Sequence, residues 1–136
     1  MSEHPQTDGG SYLDPEATAP VDIEALRAGR APAEQLLVDL VATPSPSGAE
    51  GACADRLVAF FEAHDREVFI DRVGNVRAPA DDAVLLTSHI DTVPGAVPVR
   101  IEDDTLWGRG AVDATGPLAA MAVAAVETGV SFAGVV

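Results

Sequence analysis

The chain has 136 residues, enough for one modest domain, and 47% of them are hydrophobic, enough to build a core. Its formal net charge is −14 and all eight basic residues are arginines, so no basic stripe exists to neutralise phosphates, which argues against a nucleic-acid partner. The single cysteine, Cys53, rules out an intramolecular disulfide and a zinc–thiolate cluster, and no apolar run is long enough to span a bilayer.

Residues 1–31 carry Pro, Gly, Ser, Thr and acidic side chains with few large apolar ones, and read as a flexible acidic N-terminal extension with a short helix in "VDIEALRAG". His4 falls in it and is expected to be solvated. The extension shows no positive region followed by an apolar run, which predicts a cytoplasmic protein. The acidic excess accompanies a normal apolar fraction, so it reads either as a solvated acidic face or as adaptation to high salt, where self-repulsion is screened.

Residues 32–136 carry the folded part. "PAEQLLVDLVAT" sets Leu36, Leu37, Leu40 and Val41 at helical spacing behind Pro32, and "PSPSG" stops the helix. Gly48 to His64 reads as a second amphipathic helix with Cys53, Leu57 and Phe61 on one face, so Cys53 is a core thiol, and His64 suits the helix C-terminus. "REVFIDRVGNVRA" predicts two strands about a tight turn at Gly74 and Asn75. The continuous run Val84, Leu85, Leu86 suits a strand covered on both faces, as in an α/β sheet. "VPVRIEDDTLWGRG" predicts strand, acidic turn and strand; "GPLAAMAVAAVETG" a helix with Pro117 in its first turn and Gly129 at its end; "VSFAGVV" another buried strand. That apolar end has no polar tail and reads as cut from a longer fold.

Two stretches carry chemistry. In "SHIDTVPG", His89 and Asp91 stand at i and i+2 where an apolar strand ends, so their side chains leave one face at the strand end where α/β sheets bind ligands. The pair suits either a structural His–Asp hydrogen bond or a metal-binding histidine held by a carboxylate on its other ring nitrogen. In "LWGRGAVDATGPLAAM", Gly108 and Gly110 precede Asp113 where a dinucleotide fingerprint would need a third glycine; a carboxylate there suits a cation better than a phosphate. There is no Gly-x-Ser-x-Gly elbow, no Walker loop and no His-Glu-x-x-His helix.

Together, "HIDTVPG" and, about twenty residues on, "LWGRGAVDATGPLAA" resemble the co-catalytic zinc family of aminoacylases, acetylornithine deacetylase- and succinyl-diaminopimelate desuccinylase-type deacylases and carboxypeptidase G. The resemblance reaches upstream through "VATPSPSGAEGACADRLVAFFEAHDREVFIDRVGNV" and covers the chain from about Glu34 to Val136. Within the family it is most similar to the hydrolases that release lysine or ornithine from the carrier protein LysW. It implies the N-terminal part of an α/β zinc-peptidase-like catalytic domain, a mixed sheet flanked by helices, here incomplete. It implies further that His89 ligates one of two divalent ions (zinc or cobalt), that Asp91 is the catalytic-site carboxylate supporting His89, and that Asp113 bridges both ions, followed by a cis peptide at Asp113–Ala114. Thr115 departs from the lysine that many relatives carry there.

The implied activity is amide hydrolysis that frees lysine or ornithine from an acidic amino-group carrier protein in lysine and arginine biosynthesis. A small N-acyl amino acid or dipeptide is the substrate alternative, and a non-catalytic truncated fragment the alternative of a different class. The family's paired glutamates, one the general base and one a ligand, lie just beyond the strand equivalent to "SFAGVV", with a dimerisation domain and further ligands later. The chain alone is therefore expected to be inactive, and the complete enzyme to be a homodimer.

Overall fold

A computed structural model describes residues 22–136. The first twenty-one residues of the expected extension, His4 among them, lie outside the described residues; the rest of it is tied down. Asp22 caps a short helix α1 (Ile23–Arg27), its carboxylate accepting from the Ala25 N–H at 3.1 Å. Arg27 then reaches the next helix, α2 (Pro32–Val41), donating to the Gln35 side chain at 2.8 Å and lying 3.5 Å from Asp39. Burial raises the Asp39 carboxyl above its usual range, opposed by Arg27 and Arg56.

Helix α3 (Gly51–Ala63) starts later than the Gly48 expected from sequence, because positive-φ Gly48 belongs to the turn that follows α2. It buries Cys53, Ala54, Leu57 and Phe61 on one face. Cys53 is a core thiol as the periodicity indicates: desolvation pushes it up to about 11, against a hydrogen bond to Ser45 and the charge of Arg56. His64 caps the helix, its Nδ1 2.9 Å from the Phe60 carbonyl.

Strands β1 (Phe69–Ile70) and β2 (Val76–Ala78) pair antiparallel, but the connection is not the two-residue turn that Gly74-Asn75 suggests. It is a five-residue loop organised by one carboxylate. Oδ1 of Asp71 accepts from the N–H groups of Val73, Gly74 and Asn75 at 3.0–3.1 Å, and Oδ2 from the Asn75 amide at 3.2 Å.

Strand β3 (Asp81–His89), the β4–β5 hairpin (Arg100–Glu102 and Thr105–Trp107), helix α4 (Gly116–Thr128) and strand β6 (Val130–Val135) complete the fold. The hairpin turns through Asp103 and Asp104, both at positive φ, and Arg100 lies over the Trp107 ring, 4.5 Å from its centroid. The main sheet runs β1-β2-β6-β3, antiparallel except for the parallel pair β3–β6. It is a mixed sheet with helices packed on it, as expected, and no helix among the described residues is long and apolar enough to cross a membrane.

The core lies on one face of the sheet. Val76, Ala78 and Phe132, register neighbours on β2 and β6, pack with Leu57, Phe61, Leu118 and Ala122. Leu86 joins this cluster, but Val84 and Leu85 are 46% and 58% exposed. The two-sided cover expected for this run is thus wrong for the described residues: β3 is the edge of the sheet among them, its pairing with β6 is irregular between Asp81 and Leu85, and only Leu86 of the run packs on the core.

Partial desolvation of Asp71 opposes ionisation, but the Asn75 amide and then the N–H groups of Asn75, Val73 and Gly74 outweigh it and hold the carboxyl below its usual range. A depressed folded value contributes stability above the unfolded carboxylate range, near pH 4, and loses it as pH falls through the folded value. Asp71→Asn is expected to lower the urea midpoint at pH 7, with the gap to wild type closing as pH drops from 4 to 2. A gap independent of pH would contradict this account.

Candidate metal centre

The parallel register sets His89 against Val135 at the carboxyl end of β3, and the Ile90 N–H closes the ladder on the Val135 carbonyl at 2.7 Å. The chain then turns, with Ile90 1% exposed in the core, so His89 and Asp91 both leave on the side away from it. Nδ1 of His89 lies 2.9 Å from the Asp91 carbonyl oxygen and 3.1 Å from its Oδ1.

Asp113 comes from the other motif. The kinked turn Ala111–Thr115 precedes α4, and within it Asp113 and Ala114 have non-helical backbone; the Asp113–Ala114 peptide is cis. The Asp113 side chain is 88% exposed and places Oδ1 3.0 Å from Nε2 of His89. All three residues singled out from sequence therefore meet, although Asp113 is 24 positions from His89.

Both ring nitrogens of His89 face acceptors, so a protonated ring would donate from each. Its pKa is raised first by the Asp113 hydrogen bond and further by the Asp91 carbonyl and the charges of both aspartates, against some desolvation. The Asp91 carboxyl is held below its usual range, first by a hydrogen bond from Ser47, whose Oγ lies 2.7 Å from Oδ2, and also by His89, against slight desolvation. Ser47 had no assigned role in the sequence, where "PSPSG" read as a helix stop and as part of the stretch that carries the family resemblance. A partner 44 positions away leaves no local signal.

Glycines close the site. Gly110 sits at φ +78°, and a Cβ there would run into Cγ2 of Thr92 and approach the Thr115 hydroxyl at 3.3 Å. A Cβ on Gly108 would strike Val41. The "GRG" stretch is thus the close approach of one backbone to the end of α2 at Gly108 and to the loop after Asp91 at Gly110, and no dinucleotide turn is needed to explain it.

The donor set fits part of a metal site. One ring nitrogen and one carboxylate oxygen face each other at 3.0 Å, near the roughly 3.3 Å that separates two donors of a tetrahedral zinc with bonds of about 2.0–2.1 Å. Asp91 lies behind the ring rather than beside its free nitrogen, and among the described residues no group of three or more His, Cys, Asp or Glu is placed to hold an ion, so these residues fall short of the three protein ligands usual in catalytic sites. An apolar cavity of about 540 Å³ lies beside the site, walled by Val41, Val93, Pro94 and Val99 with Ser45 and Thr92, but none of His89, Asp91 and Asp113 lines it.

Residues 85–134, which hold both motifs, match the sequence profile of peptidase family M20/M25/M40. The stretch that holds both motifs is thus similar to this family. Over 107 residues it is 44% identical to a protein of Thermococcus kodakarensis and 47% identical to one of Pyrococcus furiosus, both named as LysW-lysine/LysW-ornithine hydrolases, with 75% of this chain and 31% and 33% of those proteins covered. A relative from Emericella nidulans, named as a carboxypeptidase, is 41% identical over 107 residues, covering 66% of this chain and 25% of that protein. The chain thus spans about a third of the length of the first two relatives.

Gly110→Ala combines an L side chain at positive φ, about 1–2 kcal/mol, with the clash on Thr92. It is expected to destabilise the fold by more than the backbone strain alone, and Thr92→Ser, which removes Cγ2, to restore part of the loss in a double-mutant cycle read by urea unfolding. Strict additivity of the two changes would refute the contact.

Proposed function

We propose that the chain is part of a metal-dependent amide hydrolase that frees lysine or ornithine from an acidic carrier protein, with His89 and Asp113 as donors to a divalent ion. The observation that carries this reading is the convergence of His89 Nε2 and Asp113 Oδ1 at 3.0 Å from two separate motifs. A bound zinc or cobalt ion supplies Lewis-acid polarisation of the scissile carbonyl. The chain's own residues do the rest of what falls to them. Asp91 holds the ring of His89 from behind, fixing which nitrogen is presented. Asp113, exposed and carrying two carboxylate oxygens, would help to hold the ion and has a further oxygen that a second ion could use. The kinked turn that carries Asp113 runs directly into the start of α4.

The carrier as substrate is supported by the names of the Thermococcus and Pyrococcus relatives, and the amide class by both those names and the family. A second reading, cleavage of a small N-acyl amino acid or dipeptide by the same arrangement, is favoured by the carboxypeptidase name of the Emericella relative. In both readings hydrolysis draws on a general base and further ligands from beyond the third of the relatives that this chain spans.

Isothermal titration of zinc into the chain at pH 7.5 is expected to show binding that His89→Ala and Asp113→Asn each weaken by at least about 10-fold, and Asp91→Ala by about 10–100-fold. Binding unchanged in the His89 and Asp113 variants would overturn the assignment. For activity, the chain joined in frame to the remaining two thirds of the Thermococcus kodakarensis relative and loaded with cobalt is expected to release free lysine or ornithine from the charged carrier. His89→Ala should abolish release, and turnover of N-acyl amino acids in place of the carrier would select the second reading.

A further inference from the structure

The loop after α2 is keyed to the strand end in a way that singles out Ser47. Ser45, 3% exposed, donates its hydroxyl to the Ile90 carbonyl at 3.0 Å, and its own carbonyl accepts the Thr92 N–H at 2.9 Å. Pro46 and Thr92 form an isolated parallel bridge. These contacts fix the register of residues 45–47 along residues 90–92, and the next side chain in that register, Ser47, meets Asp91. Its Oγ is 2.7 Å from Oδ2, and because an ionised carboxylate only accepts, Ser47 donates.

An exposed Ser–Asp hydrogen bond contributes little to stability on its own. Its position gives it another use. The Asp carboxylate rotates in a broad, roughly two-fold well, so an untethered Asp91 would turn away from the imidazole and leave Nδ1 to the backbone carbonyl alone. With Oδ2 tied to Ser47, Oδ1 stays 3.1 Å from Nδ1 of His89. We propose that Ser47 is a positioning residue: through Asp91 it fixes His89 in the form that carries its proton on Nδ1 and presents Nε2 to a cation shared with Asp113. The cation end rests on the function proposed above. The link from Ser47 to the ring of His89 does not.

The two parts are read separately. Long-range proton–nitrogen NMR of the metal-free full-length chain, recorded above the His89 titration, reports which ring nitrogen holds the proton. Wild type and Ser47→Thr, which keeps the hydroxyl, are expected to show the Nδ1–H form. Ser47→Ala, and Ser47→Gly as a second loss variant, should show a mixture, with backbone amide spectra away from the site unchanged. In zinc titrations the two loss variants should bind about 10-fold more weakly, and Thr should restore affinity to within about twofold. Ring-nitrogen shifts unaltered in both loss variants would overturn the proposal whatever the zinc result. A tautomer change without loss of affinity would overturn its cation end. Zinc binding absent from wild type would instead overturn the proposed function and leave the Ser47 link standing.

Discussion

The parallel pairing of β3 with β6 is the constraint on which the rest hangs. β6 is central, hydrogen-bonded to β2 on one side and β3 on the other, and its Phe132 and Gly134 turn into the core. Gly134 has no room for a side chain without crowding: a Cβ would come within 3.2–3.3 Å of Ile90 and Leu57. That close approach lets Ile90 fold under the sheet as soon as the ladder ends, and the turn it forces puts His89 and Asp91 on the opposite side. Arg66 secures the same strand from its other end, its guanidinium donating at 2.8–3.2 Å to the carbonyls of Ala125, Ala78 and Val130, and so joining α4, β2 and β6. One arginine thereby serves three carbonyls at the ends of a helix and two strands, adding to the bond that the Ala125 carbonyl already accepts from the Gly129 N–H at 2.9 Å.

From that frame the site follows as a chain of acceptors and donors that crosses three separate segments. Ser47 meets Asp91, Asp91 meets His89, and His89 meets Asp113. Each link is partly exposed, so none contributes much to holding the fold together. What the links determine is orientation. A carboxylate on each side of one imidazole is an arrangement that stores a proton when nothing else is present and offers a nitrogen and an oxygen to a cation when the proton leaves. Under the function proposed above, proton and metal would compete for this geometry.

How far the sequence disclosed this depended on distance along the chain. The helices were legible because apolar spacing and end signals are local: Pro32 opens α2, Pro117 and Gly129 bracket α4, and Cys53, Leu57 and Phe61 form the buried face of α3. Where a turn was misread, a side chain had replaced the backbone rule. Gly74 and Asn75 look like a two-residue hairpin, yet Asp71 gathers three N–H groups and makes a wider loop. The run Val84, Leu85, Leu86 was misread for a different reason, since apolar continuity reports hydrophobicity but not which faces find a partner. His89, Asp91 and Asp113 could be picked out as two motifs whose residue types suit a cation and which together carry the family resemblance, while the meeting of His89 with Asp113 at 3.0 Å is a tertiary fact.

Ser47 marks the limit of that legibility and its cause. In "PSPSG" two serines stand two positions apart with nothing in composition or spacing to separate them. The fold gives them opposite duties. Ser45 is buried and binds backbone on both sides of Asp91, an obligation any buried hydroxyl has to meet. Ser47 is exposed, could hydrogen-bond to water at no cost, and is nonetheless aligned on the carboxylate. A satisfied buried polar group says only that the core closes around it, whereas an exposed one held in a particular direction by its neighbour's register says that the direction itself is used. The prolines on either side of Ser45 strengthen the argument, because each fixes its own φ and the pair stiffens the loop that carries Ser47 to Asp91.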